Sequence, residues 1–179
     1  MDKATFLAWR QEREERYELA DGHVMMMIGG SRGHAIITRR LAAALEKRLD
    51  ANRWTVLTSD FGVELDPDTV RYPDVVVDVA GGLLKDLTAT APVLVAEVLS
   101  PSSASNDLGD KAAEYLKLPS LAAYLVLSQD EPKVWAWVRN ASSFTPGPDV
   151  VKGEAGVLRI ASLTMEVPLL EIYEGIQSN

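Results

Sequence analysis

Two apolar runs, each interrupted by one carboxylate, constrain this chain more than any other feature. Residues 93–99 read Val-Leu-Val-Ala-Glu-Val-Leu, and residues 71–77 read Arg-Tyr-Pro-Asp-Val-Val-Val. Their β-branched composition is typical of buried strands. An ionised carboxylate is rarely buried without a partner, because its removal from water costs several kcal/mol. Asp74 and Glu97 therefore indicate a shared counter-ion, and a divalent metal ion is the simplest one.

The alternation of side chains along a strand predicts how these two acids are placed. It puts Asp74 on the same face as Val76, and Glu97 on the same face as Val95. If the two strands pair, the carboxylates converge on one ion, and magnesium or manganese prefers such oxygen ligands. The alternative is that each acid lies at a frayed strand end or pairs with an arginine. That alternative suits Asp74, which follows Pro73, better than it suits Glu97.

Lys111 is the third candidate residue. In a helix predicted over residues 107–117, it shares a face with Tyr115, so its side chain is expected to lean toward the sheet. There it can lower the pKa of a metal-bound water or stabilise charge on a phosphate. The alternative is a lysine at the helix surface that pairs with Asp107 or Glu114. Asp107 can equally be the N-cap of this helix.

Two earlier residues are accessory candidates. Glu18 lies in a hairpin predicted over residues 17–27, around the turn-forming pair Asp-Gly. Its alternative role is that of a solvated strand residue. His34 begins a helix predicted over residues 33–51, on the face that carries Ile37. Its alternative is a structural or capping histidine.

The remaining pattern predicts one domain over residues 1–179, with no repeat. The other expected elements are a helix over 4–16, strands over 54–65, 70–79 and 92–99, a hairpin of strands 124–127 and 133–139, and a last helical turn over 169–173. The three methionines at 25–27 are expected to pack within their strand, and His23 is expected at the surface. The predicted fold class is α/β, in the α+β sense of a mixed sheet covered by at least two helices.

Composition excludes several kinds of site. The chain has no cysteine and two histidines, so disulfides, zinc–thiolate centres and a three-histidine zinc site are excluded. Without cysteine, a signal-peptide pattern or a membrane-spanning apolar stretch, we expect a cytoplasmic protein with no membrane partner. The net charge of −8 counts against tight non-specific binding of nucleic acid. Clusters of arginine and lysine at 10–16 and 32–48 still leave room for a local basic surface.

Taken together, these residues resemble the Uma-two family of bacterial proteins, described as restriction endonucleases within the PD-(D/E)XK nuclease superfamily. The resemblance runs from about residue 17 to residue 137 and rests on Tyr17-Glu18-Leu19, Asp21-Gly22, His34, Pro73-Asp74-Val75-Val76, Glu97-Val98-Leu99-Ser100-Pro101-Ser102, Asp107, Lys111 and Tyr115. The Glu-Val-Leu-Ser-Pro segment, with Asp107 and Lys111 after it, is its most specific part. It implies a restriction-endonuclease-like core, a mixed β-sheet flanked by helices.

The resemblance also assigns roles to individual residues. Asp74 and Glu97 would bind Mg²⁺ or Mn²⁺, with the backbone carbonyl of Val98 as a further ligand. Glu18 would be an accessory acidic residue, and His34 a further site residue. Homodimers are common in the superfamily, so a homodimer is a further expectation.

The implied activity is that of a metal-dependent endonuclease that hydrolyses phosphodiester bonds in DNA. One departure bears on it, because Leu99 occupies the position of the superfamily's motif lysine and Lys111 looks like its replacement. A catalytically inactive nuclease-fold protein with a binding or regulatory role is the alternative, favoured by Leu99 and by the acidic net charge. A third reading is a metal-dependent hydrolase of a small phosphorylated or nucleotide substrate.

Overall fold

A mixed six-stranded sheet forms the centre of the protein in a computed structural model, which describes residues 1–100 and 104–176. In spatial order its strands are β10 (Asp149–Lys152), β9 (Lys133–Val138), β8 (Ala123–Leu127), β7 (Leu94–Val98), β6 (Val75–Val79) and β3 (Trp54–Thr58), labelled in chain order. Neighbouring strands are antiparallel except β7 and β8, which are parallel. Every residue of β7 and β8 is buried, as their apolar sequences require of strands covered on both faces.

Two smaller sheets accompany the central one. The first contains, in order, β2 (His23–Met26), β1 (Tyr17–Ala20), β5 (Thr69–Arg71) and β4 (Val63–Asp66), and the second pairs β11 (Val157–Ile160) with β12 (Met165–Pro168). Asp21 and Gly22 both have positive φ, 48° and 76°, in the two-residue turn between β1 and β2. This is the turn that Asp-Gly favours, so the structure contains the predicted hairpin.

Helices cover both faces of the central sheet. They are α1 (Lys3–Arg10), α2 (Arg32–Glu46), α3 (Ala104–Leu108), α4 (Asp110–Tyr115) and α5 (Leu169–Tyr173). The buried face of α2, with Ile37 and Leu41, packs into the core on one side of the sheet. Tyr115 of α4 packs on the opposite side, against a cluster that includes Val76 and Val95. The expected mixed sheet flanked by helices is confirmed.

Two predicted strands are each divided in the structure. The strand expected over 54–65 is β3 and β4, which belong to different sheets, and Ser59 lies between them with φ of 50°. The strand expected over 70–79 is β5 and β6. Pro73 lies at that break, where its missing N–H cannot continue a ladder. The chain thus moves from the small sheet to the central sheet immediately before Asp74.

The two long predicted helices end earlier than expected. The helix predicted over 4–16 ends at Arg10, because the charged residues that follow carry no apolar side chain to bury. The helix predicted over 33–51 ends at Glu46. Shortly after it, the carboxylate of Asp50 accepts the backbone N–H of Asn52, a local hydrogen bond that competes with a continuing helix.

The helix predicted over 107–117 is also divided, into α3 and α4 at Gly109. Asp107 lies within α3, so the expectation that it caps the helix is wrong. Two residues of the family-like segment, Pro101 and Ser102, lie outside the described residues. No helix in the described part of the chain has the length and apolar character needed to cross a bilayer.

The methionine run of β2 does not pack as expected. Met25 is 47% exposed and Met26 is 65% exposed, because β2 is the edge strand of its sheet. Only Met27 packs, partly buried, against the small core formed by Phe6 and its neighbours. His23 is exposed at the start of β2, as expected.

Candidate active site

The pairing of β6 with β7 brings the two carboxylates together. Val75 lies opposite Ala96 in this antiparallel pair, so one further step in the same register puts Asp74 opposite Glu97. Asp74 precedes β6 and is half-buried, whereas Glu97 lies within β7 and is 4% exposed. The acids that looked misplaced in the sequence therefore share one end of a strand pair.

Asp74 is held by groups from two elements. Its Oδ2 accepts a hydrogen bond of 2.7 Å from the backbone N–H of Val98 and lies 3.0 Å from Nε2 of His34. His34 is fixed in turn because Ser31, the N-cap of α2, accepts its backbone N–H. The hydrogen bond to Asp74 raises the pKa of His34, and burial of the ring opposes this. The contact orients Asp74 in the site.

Glu97 is held by α4. Nζ of Lys111 lies 3.1 Å from Oε1 of Glu97 and 3.1 Å from Oδ1 of Asp107. The hydroxyl of Tyr115 donates to the same oxygen of Glu97 at 3.3 Å. Lys111 thus leans toward the sheet, and it also pairs with Asp107 as its alternative role required.

The charges around Glu97 do not balance. Burial raises the pKa of Glu97 to about 8, the Lys111 ammonium opposes the rise, and the carboxylates of Asp74 and Asp107 add to it. Burial alone would lower the pKa of Lys111, but Glu97 and Asp107 outweigh it and raise that pKa, so the lysine stays protonated. The ammonium of Lys111 therefore contacts two carboxylates, those of Glu97 and Asp107, and Asp74 is contacted by His34 instead.

Glu18 belongs to a neighbouring ion network that the sequence did not reveal. It is 7% exposed, so its alternative role as a solvated strand residue is wrong. Nη1 of Arg71 lies 2.9 Å from Glu18, and Nε and Nη2 of Arg71 lie 2.8 Å from the two oxygens of Glu114. Arg71 is the first residue of the same apolar run that carries Asp74. A charged side chain at that position of a buried strand was the feature of the sequence that could have indicated a buried ion pair.

Leu99 cannot contribute charge at the position of the superfamily's lysine. Its side chain packs against the apolar cluster that contains Val95 and Val126. Within the described residues, the ammonium nearest Glu97 is that of Lys111, which lies on helix α4 and not on strand β7.

All six predicted site residues line one open cleft of about 510 Å³: Glu18, His34, Asp74, Glu97, Val98 and Lys111. Across the described ranges, no group of three or more His, Cys, Asp or Glu side chains is arranged to hold a metal ion. Two carboxylates are nevertheless enough for Mg²⁺, which is usually bound through one or two of them together with water and phosphate oxygens. The oxygen ligands and the missing positive charge fit a hard divalent cation.

Comparison with known proteins shows the family of the chain and a solved structure with the same fold. Two proteins of Synechocystis sp. (strain PCC 6803), both named as uncharacterized, are similar to the chain: slr1290 is 33% identical over 138 residues, covering 75% of this chain and 72% of its own. The second, sll1609, is 28% identical over 130 residues, covering 70% and 73%. A crystal structure described as a putative nuclease of DUF820 from Anabaena variabilis shares the fold, with a TM-score of 0.76, 13% identity and 97% of each chain covered. The model of the Uma2 family, described as "Putative restriction endonuclease", matches residues 4–166, and the chain belongs to this family.

Proposed function

We propose that the protein is a metal-dependent nuclease that hydrolyses phosphodiester bonds in DNA. The observation that carries the proposal is the meeting of Asp74, Glu97 and Lys111 in one open cleft that is short of positive charge. The family description and the nuclease-like fold support the same reaction class.

Each residue of the site has a distinct task in this proposal. Asp74 and Glu97 would hold Mg²⁺ or Mn²⁺, with the carbonyl of Val98 as a further ligand. The bound cation would supply an activated water and neutralise charge on the phosphate. His34 and the N–H of Val98 keep the Asp74 carboxylate oriented. Lys111, charged and open to the cleft, orients the attacking water or stabilises the phosphate oxygens.

A nuclease assay on supercoiled, linear and single-stranded DNA tests the proposal. We expect cleavage with Mg²⁺ or Mn²⁺, its loss in EDTA, and a fall of about 100-fold or more in Asp74→Ala and Lys111→Ala. Lys117→Ala, at an exposed position just after α4, is the matched control and should cleave at the wild-type rate. Activity that survives Asp74→Ala would overturn the proposed site.

A nuclease fold that binds DNA without cleaving it is the second candidate. Leu99 favours it, because that side chain is apolar and packed where the superfamily has its lysine. The contacts of both Lys111 and Tyr115 with the same oxygen of Glu97 favour it as well. Metal-independent binding of DNA, with no cleavage under any of the assay conditions, would select this candidate over the nuclease.

A further inference from the structure

Two contrasting surfaces border the cleft. On one side, α2 and the end of β3 enclose a groove of about 430 Å³ that shares His34, Asp74 and Arg16 with the cleft. On the other side, β2 and the residues after it line the cleft with methionine and isoleucine side chains. A ligand at the carboxylates therefore meets a different chemistry in each direction.

The groove along α2 offers guanidinium groups and space. Nη2 of Arg16 donates to the carbonyl of Ser59 at 2.7 Å, and its Nε lies 3.1 Å from Oδ1 of Asp60, so both contacts fix this arginine at the groove edge. Arg39 also lines the groove, is exposed, and makes no ion pair with any described residue. The groove is also lined by small side chains such as those of Ala35 and Ala42, which leave room for a ligand. An unpaired guanidinium beside a phosphodiester site fits a neighbouring phosphate.

The opposite wall is apolar and exposed. Met25 and Met26 are 47% and 65% exposed, and Ile28 is 87% exposed. Met25 is the cross-strand partner of Glu18, so it lies on the same face of the hairpin as that carboxylate. Exposed apolar side chains grouped at a polar cleft are typical of a surface that binds an apolar part of a ligand.

From this asymmetry we propose that the site takes an unpaired DNA strand, with a phosphate on Arg16 and Arg39 and a base face against Met25 and Ile28. The inference rests on the proposed function and adds the form of DNA. A duplex stacks its base faces inside, whereas an unpaired strand exposes bases on one side and phosphates on the other. The net charge of −8 agrees with this, because a single strand has a lower charge density than a duplex and is repelled less by an acidic protein.

Fluorescence anisotropy in EDTA, with matched single-stranded and duplex oligonucleotides, tests the inference. We expect the single strand to bind about tenfold more tightly, and Met25→Gln or Ile28→Gln to weaken it about threefold. Leu84→Gln, at an exposed leucine outside the cleft, should bind as the wild type does. Arg39→Gln should lower the slope of log affinity against log salt by about 0.7, and Arg32→Gln, on the same helix but outside the groove, should not.

The outcomes separate this inference from the proposed function. Tighter binding of the duplex, or equal losses from Leu84→Gln and Ile28→Gln, would overturn the inference. A third outcome would also overturn it: sedimentation shows a dimer, and Ile28→Gln converts that dimer to a monomer without changing the affinity for the single strand. The exposed apolar residues beside the cleft would then contact a second copy of the chain. Cleavage of the same oligonucleotides with Mg²⁺ or Mn²⁺ tests the nuclease itself: strand-selective binding without cleavage overturns the nuclease alone.

Discussion

Two buried ion clusters lie side by side between the sheets and α4, and each has one basic residue at its centre. The Arg71 cluster consists of Glu18, Arg71 and Glu114. The Lys111 cluster consists of Asp74, Glu97, Asp107 and Lys111. The three nitrogens of the Arg71 guanidinium all donate to carboxylates: one to Glu18 of β1 and two to Glu114 of α4. The ammonium of Lys111 faces more negative charge than it can compensate.

The difference teaches which cluster holds the fold and which one is prepared for a ligand. Arg71 is 3% exposed, and its planar guanidinium group binds carboxylates in fixed directions. It therefore connects α4 to the four-stranded sheet that contains β1 and β5. Glu114 follows Lys111 by three residues on α4, so the same tie fixes the lysine. The Lys111 cluster opens to the cleft, and burial, together with the carboxylates of Asp74 and Asp107, raises the pKa of Glu97.

The largest effect should come from removal of the central arginine. Arg71→Ala leaves Glu18 and Glu114 buried without their partner, and we expect the free energy of unfolding to fall by about 3–5 kcal/mol, as is typical when one member of a buried ion pair is removed. Urea unfolding followed by circular dichroism measures this. Arg159→Ala is the matched control, because Arg159 pairs with Glu166 at an exposed site, where such pairs contribute about 0–1 kcal/mol. Equal losses in the two variants would remove the structural role given to Arg71.

Glu97→Gln should have the opposite sign and a smaller size in metal-free protein. Burial raises the pKa of Glu97 to about 8 in the folded protein, whereas the unfolded chain releases this proton near the ordinary glutamate pKa of 4.5. The free energy of unfolding of the wild type therefore falls as the pH rises from about 4.5 through 8. Glutamine has no such proton, so the stability of the variant relative to the wild type should rise by about 1 kcal/mol for each pH unit between about 4.5 and 8.

Thermal unfolding in EDTA across this pH range measures the gain. Glu166→Gln, on the exposed side of β12, controls for the substitution itself. The same Glu97→Gln protein should bind Mn²⁺ less tightly in calorimetric titration, so that stability and metal affinity change in opposite directions. A stability difference that stays constant with pH would contradict the charge imbalance of the Lys111 cluster.

The sequence predicted the Lys111 cluster better than the Arg71 cluster, for a physical reason. A carboxylate inside an apolar strand is conspicuous, and alternation predicted that Asp74 and Glu97 would converge if their two strands paired. Glu18 lies on a short hairpin strand whose burial depends on β5, a strand that is distant in the chain. The division of the predicted strands at Ser59 and Pro73 depends on which sheet each half joins, and no local pattern carries that information. Arg71 was consequently missed.

The smallest effect should come from a change at Gly30, which lies beside the imidazole of His34 that contacts Asp74. A side chain at Gly30 would place Cβ 2.6 Å from Nδ1 of His34, whereas at Gly29 nothing lies within 4 Å. Gly30→Ala should therefore displace the imidazole and lower the pKa of His34, because the hydrogen bond to Asp74 is what raises it. Proton NMR titration of the two histidines in metal-free protein, with His34→Asn for assignment, measures the change. Gly29→Ala is the matched control and should leave the titration unaltered. An unchanged His34 in Gly30→Ala would mean that Gly30 does not position the histidine.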